Sequence, residues 1–227
     1  MTGRPARSAL LRLAFGAGVL LAAAWLFGAI AEDVVNQDAP LGTLDLSVAS
    51  WLHAHATPLL TTLMLGASHL GAPLTVIVVT AIASTLLVFR GDRYRALMLV
   101  AAVTGGGLMN VLIKLAVHRH RPVFTDPIQT LTSFSFPSGH AVGATVLYGA
   151  LALVMTSLAS ELRVRTAVIA LALLLIIAVC FSRIYLGVHY LSDVVAGFLE
   201  GIVWLGTCLF AMNALRKRKL RARSIEH

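Results

Sequence analysis

The sequence predicts an all-α protein that crosses a membrane six times, with short interfacial helices after the first span. Three observations predict it. Hydrophobic residues make up 58% of the chain against 12% charged, with a mean hydropathy of +0.86, a balance typical of polytopic membrane proteins and foreign to soluble cores. Apolar runs of roughly the length needed to cross a bilayer recur along the chain. Of the 18 basic residues, all but Lys114, Arg119, Arg121 and Arg183 fall in the N-terminus, two tight turns and the C-terminal tail, as the positive-inside rule expects of cytoplasmic segments. The formal charge of +8 is therefore split into short clusters between apolar runs. That distribution argues for no nucleic-acid partner.

Arg4, Arg7 and Arg12 precede the first apolar run, 13–31. Ala29-Ile30-Ala31 resembles a processing site, but the run is longer than the ~7–15 residues of a signal-peptide core, which favours a retained span. Residues 32–71 carry Glu32, Asp33, Asp38, Asp45 and three histidines but no Lys or Arg, so they read as external. Within them, 44–70 is moderately apolar and interrupted by Pro58, which suits one or two short helices at the interface or packed on the bundle. His53 and His55 lack a third ligand at a defined spacing, so no metal site is assigned to them.

The second span is 73–89, and Arg90, Arg93 and Arg95 make the first internal turn. The third span, 96–118, contains Gly105-Gly106-Gly107, which permits close helix packing. A polar loop, 119–136, leads to the fourth span, 138–159, and Glu161, Arg163 and Arg165 form the second internal turn. Spans five, 166–185, and six, 191–214, follow. Cys180 and Cys208 lie inside apolar runs as packed hydrophobes. The expected organisation is one integral-membrane domain over 1–227, with both termini cytoplasmic and a basic tail at 215–227 that touches anionic lipid. Small residues in the spans permit dimers without demanding them.

Basic residues on the wrong side or inside a span are costly, which makes Lys114, Arg121 and Arg183 candidates for function. Lys114, His118 and Arg121 stand at i, i+4 and i+7, one helical stripe, until Pro122 turns the chain away. Ser138 is a natural N-cap, and a helix start with Gly139 beside it lets an anion approach the backbone amides. His189 and Asp193 are four apart, within reach of a carboxylate–imidazole bond on a helix. Such a bond fixes the tautomer and leaves the other ring nitrogen free. Gly187 offers the break that lets Arg183 and His189 converge. All three clusters fall at the external ends of spans, where three cations and two backbone amides can hold a phosphate while two histidines do covalent and proton-transfer chemistry. The spacing leaves open which histidine attacks, and only the Asp193 pairing favours His189.

Lys114-x6-Arg121-Pro122, Pro137-Ser138-Gly139-His140 and Ser182-Arg183-x5-His189-x3-Asp193 together resemble the three-part signature of the phosphatidic acid phosphatase type 2 superfamily, with no departure at a signature position. The resemblance implies phosphate-ester hydrolysis through a phosphohistidine, with no metal and no cofactor. It implies His189 as nucleophile, Asp193 as its orienter and His140 as proton donor to the leaving oxygen. Lys114, Arg121, Ser138, Gly139 and Arg183 would bind the phosphate. The expected substrate is a lipid phosphate entering sideways from the membrane, such as phosphatidic acid, phosphatidylglycerophosphate or polyprenyl diphosphate. Hydrolysis of a soluble phosphomonoester and lipid-to-lipid phosphate transfer use the same site. A transporter would need charges spread through the depth of several spans, whereas these gather at one end, apart from Glu200. His118 and His120 read as pocket lining or interfacial solvation, Glu200 as a buried carboxyl that is protonated, pairs across the bundle or tunes the site, and the Trp and Tyr residues as interfacial anchors or core.

Overall fold

In the computed structural model, which describes residues 4–223, the described residues form eight helices: α1 (Arg4–Asn36), α2 (Ala39–Ala54), α3 (Pro58–Leu70), α4 (Pro73–Phe89), α5 (Arg93–Val117), α6 (Gly139–Leu158), α7 (Leu162–Tyr185) and α8 (Leu191–Arg223). The side chains of Arg4, Arg7 and Arg12 and of the basic tail lie outside the described residues. Leu13–Asn36, α5, α6, α7 and Leu191–Met212 are each long and apolar enough to cross a membrane, so the chain is an integral membrane protein. The first span runs five residues further than expected and ends where Gln37 adopts a left-handed conformation.

The second span differs from its expectation. At 17 residues, α4 is short, and it reaches the crossing length only together with α3, from which it bends by 47°. Gly71 and Ala72 occupy the break, and Pro73, with no amide hydrogen to donate, starts the new helix. Of the two short helices expected after the first span, α3 packs along α7, and α2 lies across the ends of α7 and α8. Tyr185, buried on α7, clamps the turn between α2 and α3, because its hydroxyl accepts from the Thr57 amide at 3.0 Å.

Helix α6 is the centre. It packs against α4, α5, α7 and α8, and Ala141, Ala144, Leu147 and Ala150 along it are fully buried. Its small residues let the neighbours approach closely, since packing rather than a hydrophobic gradient holds helices together in lipid. Large apolar side chains such as Leu171, Leu174 and Ile177 point outward, as lipid-facing positions require. Two of the three central glycines of α5 take the indole of Trp204 on α8, whose Nε1 donates to the Ala102 carbonyl at 2.8 Å. That makes Trp204 core rather than an interfacial anchor. Trp25 and Trp51 are outward-facing.

One close approach to backbone matters most for the site. A Cβ on Gly197 of α8 would lie 2.6 Å from the Ser138 carbonyl oxygen and 3.1 Å from the Cβ of Ala141, so α8 crosses directly over the first turn of α6. The Ser138 amide meanwhile donates to the Asp193 carbonyl at 2.9 Å. Gly197→Ala should therefore push the two helix starts apart. A loss of about 1–3 kcal/mol is expected from such overpacking, read as a lower melting midpoint of the purified protein in detergent, with reduced activity.

Candidate functional site

Antiparallel packing brings the C-terminal ends of α5 and α7 and the N-terminal ends of α6 and α8 to one side of the bundle, opposite the Arg90–Arg95 and Glu161–Arg165 turns. Lys114, His140, Arg183 and Asp193 stand on those four ends, while Arg121 and His189 lie on the segments between them. All eight predicted site residues thus belong to one end of the molecule. Glu200 sits one level deeper on α8.

His189 precedes α8 rather than lying on it, a correction to the helical pairing expected from its spacing. Helix α7 ends at Tyr185, Gly187 turns left-handed at φ 67°, and α8 starts at Leu191. The edge of the Phe124 ring fills the space a Cβ on Gly187 would need. Asp193, in the first turn of α8, reaches back to this segment. Its Oδ2 accepts from the Tyr190 amide at 3.0 Å and faces His189 Nδ1 at 3.4 Å. The link survives because a carboxylate in the first turn of a helix naturally satisfies the amides that precede it.

The other ring nitrogen fixes the tautomer. Arg121 Nη1 lies 3.1 Å from His189 Nε2, and a guanidinium only donates. Nε2 is therefore the acceptor, and the proton sits on Nδ1, facing Asp193. Burial pushes the imidazole down to about 4; Asp193 opposes that shift, and Arg121 and Arg183 reinforce it. At neutral pH His189 is an uncharged ring whose Nε2 lone pair points at a cluster of cations.

The cations differ in how they are satisfied. Arg121 does not extend the Lys114 stripe as expected, because α5 stops at Val117 and His118 caps it at φ 53°. Arg121 instead folds back into the loop, donating from Nε to Ser133 O at 2.7 Å, from Nη1 to Val188 O at 2.5 Å and from Nη2 to Phe134 O at 3.1 Å. Burial lowers its basicity, and Asp193 opposes that effect. Lys114 Nζ donates to Phe134 O at 2.8 Å and Ser135 O at 3.3 Å rather than to Glu200 or Asp126. Arg183 is fully buried. Its Nη1 reaches Ser68 Oγ on α3 and Gln129 Oε1 at 3.4 Å, whereas its Nε and Nη2 have no hydrogen-bond partner among the described residues.

Ser138 is the N-cap residue of α6 by position, but its hydroxyl makes no capping bond and is likewise buried without a partner. Because the Ser138 amide is already taken by Asp193 O, what Ser138 offers a ligand is its hydroxyl. Gly139 opens the helix next to the Asn110 side chain, whose oxygen would stand 3.0 Å from a Cβ there. His140 is half-buried one residue further, within the electrostatic reach of Arg183, His189, Arg121 and Lys114. Buried donors left unpaired are costly, and cations, a hydroxyl and a helix start gathered at one end of the bundle make a site suited to an anion.

Several contributors were not legible in the sequence. Asn110 donates to Glu200 Oε2 at 3.1 Å and to Pro137 O at 3.3 Å, so Glu200 pairs across the bundle and braces the Pro137–Gly139 segment from below. Arg119 and Asp45 form a buried pair behind Asp193. His53 bonds Asp126 at 2.9 Å and stacks on Phe124, tying the loop to α2, while His55 turns back to the Trp51 carbonyl at 2.7 Å. His118 and His120 are exposed, and His118 packs edge-on against Phe134. Loop residues between Arg119 and Phe134, with Gly187 and Val188, line an open cavity of about 440 Å³.

Comparison with known proteins places this arrangement in a family. The PAP2 superfamily model matches residues 95–217, a stretch that includes every predicted site residue. Over 147 residues the chain is 31% identical to phosphatidylglycerophosphatase B of Bacillus subtilis, covering 64% of this chain and 72% of that protein. It is 33% identical over 144 residues to an undecaprenyl-diphosphatase of Sulfolobus acidocaldarius, covering 61% and 64%. The crystal structure of a transmembrane PAP2-type phosphatidylglycerolphosphate phosphatase from Bacillus subtilis superposes with a TM-score of 0.77 at 25% identity, over 88% of this chain and 96% of that one.

The unpaired donors of Arg183 predict anion binding independent of turnover. Inorganic phosphate at about 100 times its dissociation constant should stabilise the protein by about 2.7 kcal/mol, seen as a raised melting midpoint. Arg183→Gln should abolish most of that rise, and an equal rise in both proteins would contradict the assignment.

Proposed function

The chain belongs to the PAP2 superfamily, and on that premise we propose that it is a membrane lipid phosphatase working without a metal through a phosphohistidine on His189. The observation that carries the reading is the Arg121–His189–Asp193 line, which leaves the ring proton on Nδ1 facing Asp193 and makes Nε2 the acceptor facing Arg121.

In the first step Nε2 attacks phosphorus, the P–O bond to the lipid breaks, and His140 gives its proton to the departing oxygen. Asp193 stabilises the positive ring that forms. Arg121 exchanges Nε2 for a phosphoryl oxygen, and Lys114, Arg183, the Ser138 hydroxyl and the helix start at Gly139 take the remaining charge. In the second step His140 takes a proton from water, the hydroxide attacks phosphorus, and the N–P bond breaks to release phosphate and restore His189.

A lipid substrate is supported by an apolar groove of about 490 Å³ beside the site, formed by Val48, Trp51, Leu52, Phe181, Ile184 and Leu191. Ile184 follows Arg183 and Leu191 lies two residues after His189, so acyl chains in that groove would leave a headgroup at the cations. The names of the two relatives point to a phosphatidylglycerophosphate-like monoester or a polyprenyl diphosphate. Basic turns on the far side of the bundle support a site at the external face of the cell membrane, with both termini in the cytoplasm. The whole chain, 1–227, works as one domain.

Purified protein should release phosphate, in the presence of EDTA, from one member of a panel of phosphatidic acid, phosphatidylglycerophosphate, undecaprenyl diphosphate and p-nitrophenyl phosphate. His189→Ala should abolish it. Release confined to the soluble ester, or lost with EDTA, would overturn the lipid or the metal-free part respectively. The pH dependence has a definite sign. His189 sits near 4, so its nucleophilic form is present above that value and is lost as pH falls through it. The acid limb of kcat/KM is expected near pH 4. An acid limb centred at the ordinary imidazole value of 6.5 would contradict the assignment.

A further inference from the structure

Two residues before Arg121, Arg119 turns the other way. Its Nη1 donates to Asp193 Oδ1 at 2.6 Å and to Ser192 Oγ at 2.7 Å, and its Nη2 donates to Asp45 Oδ2 at 2.8 Å. The guanidinium carbon lies 4.4 Å from the centre of the Tyr190 ring, so the group is held by two carboxylates and an aromatic face. Burial works against its charge, yet Asp193 and Asp45 outweigh that and raise its basicity. Arg119 is a permanent cation on the side of Asp193 away from His189.

Asp45 is the anchor. It comes from α2, is 1% exposed, and accepts from the Ser192 amide at 2.9 Å as well as from the Ser192 hydroxyl and Arg119. The Ser192 amide belongs to the first turn of α8, where backbone donors lack partners within the helix. Asp45 therefore caps α8 from a different helix, with its charge at the favourable end of the dipole. A buried carboxylate in contact with another carboxylate's partner is costly unless every lone pair is used. Here the second carboxylate has a clear role, since it fixes the arginine that fixes Asp193.

The division of labour on Asp193 follows. Oδ1 is taken by Arg119, while Oδ2 is left for the Tyr190 amide and His189 Nδ1. A carboxylate bonded on one oxygen only could rotate and carry the imidazole with it. We infer that Arg119 and Asp45 are positioning residues for the reaction, holding the Asp193 carboxylate from outside the phosphate site in the rotamer that aims His189 at phosphorus. The inference rests on the reading of His189 as nucleophile.

The groups facing His189 are Asp193 from α8, Arg121 from the loop, Arg183 from α7 and His140 from α6. Removing Arg119 strips Asp193 of its permanent cation and leaves the other facing groups in place. Asp193 then pulls harder on a proton at His189, so the acid limb moves to higher pH.

The test uses the full chain in detergent with phosphatidylglycerophosphate micelles and compares Arg119→Met, Arg119→Lys, Asp45→Asn and His189→Ala. Arg119→Met should lower kcat by about 10- to 100-fold, as expected for a displaced catalytic group. KM and inhibition by inorganic phosphate should change less than about twofold, because the variant removes no phosphate contact. The acid limb of kcat/KM should shift upward, and Arg119→Lys should restore part of kcat and bring the limb back. A parallel rise in KM and in the phosphate inhibition constant would make Arg119 a phosphate ligand and overturn the inference, as would an unchanged kcat. If Arg119→Met fails to fold, Asp45→Asn decides: kcat reduced several-fold at constant KM supports positioning, and an unaltered kcat refutes it. Activity surviving in His189→Ala would overturn the nucleophile reading itself. Activity lost there but intact in the other variants would overturn this inference alone.

Discussion

Four basic side chains, Lys114, Arg119, Arg121 and Arg183, are gathered into one end of an apolar bundle, and the surrounding structure is arranged to keep them there. Each would cost several kcal/mol if desolvated without partners. Carboxylates meet only part of the demand. Asp45 and Asp193 take Arg119, while Lys114 and Arg121 are held by carbonyls of residues 133–135 and 188. The loop 118–138 is therefore irregular for a reason, since a helix would have spent those carbonyls on its own amides. Arg183, fully buried with two unpaired nitrogens, is the one whose demand the described residues leave open. A cation held in place with donors to spare is a natural phosphate ligand, and the proposed chemistry draws on that.

Neutrality at His189, the proposed nucleophile, depends on the same arrangement. Arg121 sits against Nε2 and Asp193 against Nδ1, so the ring is polarised along one axis while burial keeps a second proton off it. The Asp193 carbonyl also receives the Ser138 amide. One residue thus joins the His189 segment to the start of α6, where His140 lies. Gly197 permits that joint by letting α8 pass within contact of Ser138. The relative placement of the two histidines therefore depends on the α6–α8 crossing, to which Asp193 ties the short segment that carries His189.

The helices and the end of the bundle that bears the site were readable from hydropathy and basic residues, because lipid imposes length and the cytoplasmic side collects charge. The eight candidate residues stood out because motifs at fixed spacing mark helix ends, and the fold brings them to one end of the bundle. What escaped was long-range. Nothing local says that Asp45, 147 residues before Ser192, caps its helix, although a lone acid in an otherwise apolar amphipathic stretch was a visible oddity. Arg119 stood out as a misplaced cation, but its partner could be named only after folding. The i, i+4 spacing of His189 and Asp193 gave the right contact for the wrong local reason. The pair spans a helix start, and Gly187 rather than helical periodicity delivers the imidazole. Likewise α4 read as a full span because composition does not reveal that a 17-residue helix leans on α3 to complete it.

The central claim is a covalent phosphate on His189, and the most direct measurement is to trap it. Protein mixed with substrate labelled in the phosphate should be quenched in alkali within one turnover, digested and mapped by mass spectrometry, alongside a His140→Ala variant in which breakdown of the intermediate is slowed. The account predicts an alkali-stable, acid-labile phosphate on the peptide containing His189, more abundant in the variant. Phosphate on another residue, or turnover by direct attack of water with no labelled peptide in either protein, would contradict it.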